Sequence, residues 1–154
     1  MFQNLNPSRR TKKEKMLKIH SNISPGKLLH IVYKTSELET SREDIVPDEE
    51  FLQLAVMRHS AGKTFKAHKH IFKEVPDTSI AQESWYVVKG AVKAKLYDED
   101  FTHLTDVLLE EGDLSITLYG GHTYEIMEDD TLVLEFKSGP YYGQKLDKEF
   151  MSDV

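Results

Sequence analysis

The sequence predicts an all-β fold, and three observations lead to it. Short apolar or alternating runs recur along the 154 residues at intervals of roughly 8–12 positions. Turn-forming clusters separate them, such as Glu-Gly-Asp at 111–113, Gly-Gly at 120–121 and Glu-Asp-Asp at 128–130. The only helical stretch of note is short and C-terminal, "QKLDKEFMSD". Many short strands with turn chemistry between them point to a sandwich or a barrel.

Taken in order, residues 1–26 read as a basic N-terminal arm ending in the turn "SNISPG", and residues 27–154 as a single domain. "KLLHIVYK" (27–34) is the first strand. A loop or short helical turn precedes a strand near Phe51–Arg58, which Ser60, Ala61 and Gly62 end. "KTFKAHKH" (63–70) is extended, with Phe65 on the face opposite His68 and His70. A loop with Pro76 and Asp77 leads to "ESWYVVKGAVKAKLYDED", which reads as a β-hairpin turning at Lys89-Gly90. Glu83, Trp85 and Val87 share one of its faces, and Val92, Ala94 and Leu96 alternate with Lys93 and Lys95. Further short strands follow. In "TLVLEFKSGPYYG", Leu132, Leu134 and Phe136 alternate with Val133, Glu135 and Lys137, so one face is largely polar. That face either lines a barrel or is a solvated outer surface.

Composition narrows the function. A 39% hydrophobic and 30% charged chain is that of a globular domain large enough to bury a core. Cysteine is absent, which excludes disulfides, thiolate ligands and a cysteine nucleophile, so any metal must be held by His, Asp or Glu. No run is long enough to span a membrane, and no apolar stretch after the N-terminal charges resembles a secretory signal. A cytoplasmic location is the default expectation. Residues 1–18 carry six basic side chains against one acidic, giving +5, while the whole chain is −6; the remaining body is strongly acidic. Such a body argues against nucleic acid as the main ligand, and the basic head reads as a solvated arm.

The histidines carry the chemistry. His68 and His70 stand two apart, so on a strand both imidazoles leave the same face, which is half of a transition-metal site. The pair alone is a weak signal; its surroundings sharpen it. Gly62 stands six residues before His68, Glu83 stands seven before Gly90, and His122 follows Gly112 by ten. "GKTFKAHKH" with "ESWYVVKG", and then "GDLSITLYGGH", resemble the two motifs of the cupin superfamily, and more narrowly its small single-domain bacterial members, a group often linked to sugar-nucleotide and surface-polysaccharide pathways. Leu118 stands in the motif's proline place and the histidine comes one residue early. The gap from His70 to Glu83 is longer than the motif's, and Glu74 lies at the shorter spacing. Glu83 is preferred because it keeps its distance to the turn glycine Gly90.

The resemblance implies a double-stranded β-helix, or jelly-roll barrel, with His68, His70, Glu83 and His122 holding one divalent transition metal. Three imidazoles and a carboxylate suit iron, manganese, zinc, nickel or copper, and leave positions for water or substrate. The alternatives are a pair of surface histidines, a salt-bridged Glu83 and a turn histidine at 122. Tyr124 and Glu135 are candidate proton-transfer groups, and Trp85 and Lys137 candidate substrate contacts. The aromatic residues otherwise read as core. The function expected is a metal-dependent enzyme acting on a small polar metabolite, foremost a sugar or sugar derivative, by isomerase or epimerase chemistry. An iron-dependent dioxygenase and a non-catalytic binding cupin are the alternatives. A homodimer is expected, with the strand in 27–34 available to add to a partner's sheet edge.

Overall fold

The computed structural model describes residues 15–73 and 79–152. The chain divides into two compact units, Met1–Glu37 and Leu38–Val154. In the first, β1 (Met16–His20) pairs antiparallel with β2 (Leu28–Tyr33), and a 3-10 turn follows at Thr35–Glu37. The boundary expected after residue 26 therefore falls inside a hairpin. Of the basic head, Arg9, Arg10, Lys12 and Lys13 lie outside the described residues, as does Glu74.

The second unit is almost entirely β. Its strands are β3 (Arg42–Asp44), β4 (Leu52–His59), β5 (His68–His70), β6 (Phe72–Lys73), β7 (Ser79–Ile80), β8 (Glu83–Lys89), β9 (Val92–Tyr97) and β10 (His103–Leu109). After them come β11 (Leu114–Thr117), β12 (Gly121–Ile126), β13 (Thr131–Ser138), the single-turn helix α1 (Gln144–Asp147) and β14 (Lys148–Phe150). Two five-stranded antiparallel sheets form, in the orders β10-β9-β12-β5-β14 and β11-β8-β13-β4-β3. β6 and β7 make a separate small ribbon. Apart from the paired neighbours β3–β4 and β9–β10, successive strands of these two sheets alternate between them, as in a jelly roll.

Two sequence expectations change. β8 and β9 do not pair; β8 lies between β11 and β13, while β9 lies between β10 and β12. The Lys89-Gly90 turn is a corner between sheets, because alternation and a turn glycine look the same whether a chain doubles back or changes layer. Gly90 has φ +83°, and a Cβ there would collide with the Thr131 hydroxyl, so the corner requires glycine. The second change is at Phe65. The backbone between Thr64 and His68 is not a regular strand, so alternation does not carry across it. Phe65 turns to the interior and meets Trp85 edge-on, with ring centroids 5.3 Å apart.

The interior is graded along its length. At one end Met57, Val87, Val92, Ala94, Leu109, Ile126 and Val133 form a dry core, each side chain contributing roughly 1.5–3 kcal/mol if large and fully buried. Trp85 and Tyr124 stack within it, with centroids 3.9 Å apart. Toward the other end the same strands turn polar. The β13–β8 register pairs Val133 with Val87, then Glu135 with Trp85, then Lys137 with Glu83. All of these are buried, so the polar face of β13 is the inner one and its Leu134 and Phe136 face outward.

Candidate metal centre

β5 is only three residues long, and both its edges are paired. β12 runs along one side with His122 opposite His68, and β14 along the other with Lys148 opposite His70. The pleat sends His68 and His70 inward and leaves Lys69 outside, bonded to the Glu99 carbonyl. His122 therefore meets His68 across the ladder, ring centroids 4.6 Å apart. Glu83 comes from the opposite sheet as the first residue of β8. Its Oε1 lies 3.1 Å from His122 Nε2 and its Oε2 3.2 Å from His70 Nε2.

One ligating atom from each of His68, His70, Glu83 and His122 lies within 4.8 Å of the others, and all four side chains are buried. The set fits a divalent metal on its own chemistry. His68 Nδ1 donates to the Lys66 carbonyl at 3.0 Å, which leaves the Nε2 lone pair directed inward. That Nε2 is buried and has no hydrogen-bond partner. A buried acceptor with nothing to accept is costly, and a cation is one way to satisfy it.

Electrostatics put His68 and Glu83 in their ligating forms, whereas His70 favours a proton that a metal would have to displace. Burial, then Lys148 and His122, push the His68 imidazole down to about 3, so it is neutral and ready to ligate at physiological pH. Burial alone would raise Glu83, but His122, His70 and Lys148 hold it well below the usual carboxylate range. Burial would likewise lower His70, yet Asp147 and Glu83 outweigh it and hold the ring above its ordinary value.

Behind the ligands sits a carboxylate that the sequence did not flag. Asp147 ends α1, is fully buried, and faces His70 Nδ1 at 3.3 Å, Lys73 Nζ at 2.8 Å and Lys137 Nζ at 3.1 Å. In the sequence it reads as one more charge in a solvated C-terminal helix. Only the pairing of β14 with β5, which brings the end of α1 under His70, reveals it. Of the helical stretch expected there, only Gln144–Asp147 is helix, and Lys148–Phe150 is strand.

The remaining candidates take distinct places. Trp85 is 2% exposed and its indole N–H donates to Glu83 Oε1 at 3.1 Å, so it braces a ligand from within the core. The Tyr124 hydroxyl lies 2.9 Å from Ser115 Oγ, and burial together with Glu83 raises its pKa well above the ordinary phenol value. Glu135 accepts two bonds from Arg42, at 2.8 and 3.3 Å. Lys137 lies over the Tyr141 ring, 4.2 Å from its centroid. Glu135 and Lys137 share a cavity of about 470 Å³ with Arg42, Gln53, Phe65 and Lys148. That volume is within the range of small-molecule sites. Of the other four histidines, His59 packs edge-on against Phe65, and His103 bonds Asp106 at the surface.

No family model matches the sequence, and no curated protein matches it. Solved structures do resemble the fold. The capsular polysaccharide assembling protein CapF from Staphylococcus aureus superposes with a TM-score of 0.58 at 15% identity, over 73% of this chain and 32% of CapF. Oxalate decarboxylase from Bacillus subtilis gives 0.54 at 17% identity, over 71% of this chain and 27% of the enzyme. BH2720 from Bacillus halodurans gives 0.54 at 12% identity, over 71% of this chain and 78% of that one. The chain thus spans about a third or less of the first two proteins.

Proposed function

We propose that this chain, which has the cupin fold, is a metal-dependent enzyme acting on a small polar metabolite, foremost a sugar or sugar derivative, by isomerase or epimerase chemistry. The observation that carries the reading is the convergence of His68, His70, Glu83 and His122 from both sheets beside a polar cavity. A structural fold could fill that end with apolar side chains. Here β8, β12 and β13 each change from apolar to polar along their length, which is costly unless the polar end is used. The likeness to CapF, described as a capsular polysaccharide assembling protein, supports the carbohydrate reading.

A divalent metal held by the four ligands would supply Lewis acidity toward a carbonyl or hydroxyl oxygen. The chain's own groups would do the rest. Glu135, opening on the cavity, is the candidate to accept a proton from a substrate carbon or hydroxyl, with Arg42 holding the carboxylate in place. Tyr124, kept neutral by its burial, is the candidate donor. Lys137, fixed by Asp147 and Tyr141, would contact substrate oxygens, while Trp85 orients Glu83 from behind.

The test is the metal content of untagged protein for the wild type, His70→Ala and His122→Ala. About one metal per chain, lost in both variants, is the expected result. No uptake by the wild type after soaking with iron, manganese or zinc would end the metal reading. Oxygen consumption by an iron-loaded form would favour a dioxygenase, whereas anaerobic turnover with zinc or manganese would exclude one. Ligand binding with no turnover would leave a binding cupin.

A further inference from the structure

We infer that the substrate of this site is a hydroxylated carboxylate, bound with its carboxylate beside the metal ligands and against Lys148. The inference rests on the metal-enzyme reading above and narrows its substrate class.

Among the described residues, Lys148 is the cation that both lies beside a candidate ligand, Glu83, and lines the cavity. It stands opposite His70 in the β14–β5 ladder, and its ammonium lies 3.9 Å from Glu83 Oε2, beyond hydrogen-bond range. It also lines the cavity, with its side chain 16% exposed. The other two cations there are already matched. Arg42 is held by Glu135 and Asp44, and Lys137 by Asp147. Among the described residues Glu83 is the carboxylate that Lys148 faces, and Glu83 is also the one anionic member of the ligand cluster.

Charge then sets the ligand. Three neutral imidazoles and Glu83 around a divalent ion leave one positive charge, and Lys148 adds a second a few ångströms away. Uncompensated charge in a largely buried site is expensive. A neutral sugar would leave it standing. A carboxylate reaching toward the ligands offsets it and can accept from the Lys148 ammonium, a charge-assisted bond. A phosphate ester at the far end of a sugar would place its charge away from Lys148. The hydroxyl groups of such an acid would face Gln53, Gln144 and the Lys137–Tyr141 pair along the cavity wall.

The experiment uses manganese-loaded full-length protein with its metal content measured. Calorimetric titration compares gluconate with glucitol, which share a hydroxylated carbon chain and differ in the carboxylate, and with glucitol 6-phosphate. Gluconate should bind the wild type at least roughly tenfold more tightly than glucitol, as expected for a bond to a charged group. Lys148→Met should remove that preference while keeping the metal, and Lys148→Arg should restore most of it. Equal binding of gluconate and glucitol to metal-loaded wild type, or no binding of either, would overturn the inference. So would a preference that survives Lys148→Met, or a Lys148-dependent preference for glucitol 6-phosphate over gluconate. These wild-type comparisons stand even if the Met variant fails to fold. A wild type that takes up no metal would instead overturn the reading on which the inference rests.

Discussion

Asp147 shows at the scale of one residue how the site is held. Its carboxylate faces His70, Lys73 and Lys137, so removing the charge leaves two buried ammonium groups without their partner. Asp147→Asn should cost about 3–5 kcal/mol in urea unfolding near neutral pH, the cost of breaking a buried pair. Burial would raise the carboxyl, but His70, Lys73 and Lys137 hold it far below its ordinary 3.8. Because the folded value is depressed, this stability is fully present above 3.8 and is lost as pH falls through the folded value. The gap between wild type and variant should therefore narrow in acid; a constant gap would separate the cost from the charge. The same variant should bind metal roughly 10–100-fold more weakly if Asp147 steadies His70 as a ligand. Asp147 and Glu83 hold the His70 ring above its ordinary value, so metal uptake there must displace a proton. Apparent metal affinity should accordingly rise, with proton release, as pH increases from below the ordinary imidazole value of 6.5 to above it. Affinity that stays flat over that range would count against His70 as a ligand. His68 and His70 were legible from the two-residue period of a pleated strand, and Glu83 and His122 from the resemblance to the cupin motifs. Asp147 and Lys148 were not, since nothing in "QKLDKEF" distinguishes a solvated charge from a buried one.

At the scale of elements, the strands were legible and their partners were not. β8 and β9 alternate as a hairpin would, yet they belong to different sheets. Gly90 sets the corner between them, at φ +83° with Thr131 where a side chain would go. Gly90→Ala should destabilise the fold by about 1–3 kcal/mol or more, through the left-handed backbone and the displaced Thr131 together. Thermal unfolding checks this, and an unchanged midpoint would mean that the corner relaxes freely. The polarity of β13 runs against the simple rule that apolar faces point inward. Glu135 and Lys137 are buried and Leu134 and Phe136 face out, because the interior at that level is a site and not a core. Alternation alone is symmetric between the two faces, so it marks a polar side without saying which way that side points.

At the scale of the whole molecule, the ligand cluster joins the two sheets, with three histidines from one and Glu83 from the other. Metal that binds only the folded chain should stabilise it by about 2.7 kcal/mol at a hundredfold excess over Kd, and a chelator should reverse the shift. His122→Ala should abolish the metal-dependent part of the melting shift, and a full shift in that variant would place the metal elsewhere. Leu114 and Ile116 on β11, the edge of its sheet, and Leu118 just past its end are each more than half exposed. Such a stripe supports the expected homodimer; light scattering that gives a monomer mass would remove it. By itself the sequence determined the all-β class, the run of strands and the four candidate ligands. The first two depend on local periodicity and turn chemistry, and the ligands on a histidine pair at strand spacing together with the resemblance to the cupin motifs. Only the tertiary structure decided which strands pair, which face of β13 is inside, and that the C-terminal Asp147 and Lys148 stand at the ligands. Those facts depend on contacts between residues distant in the chain, where burial and partner charge are set by the fold and leave no periodic trace.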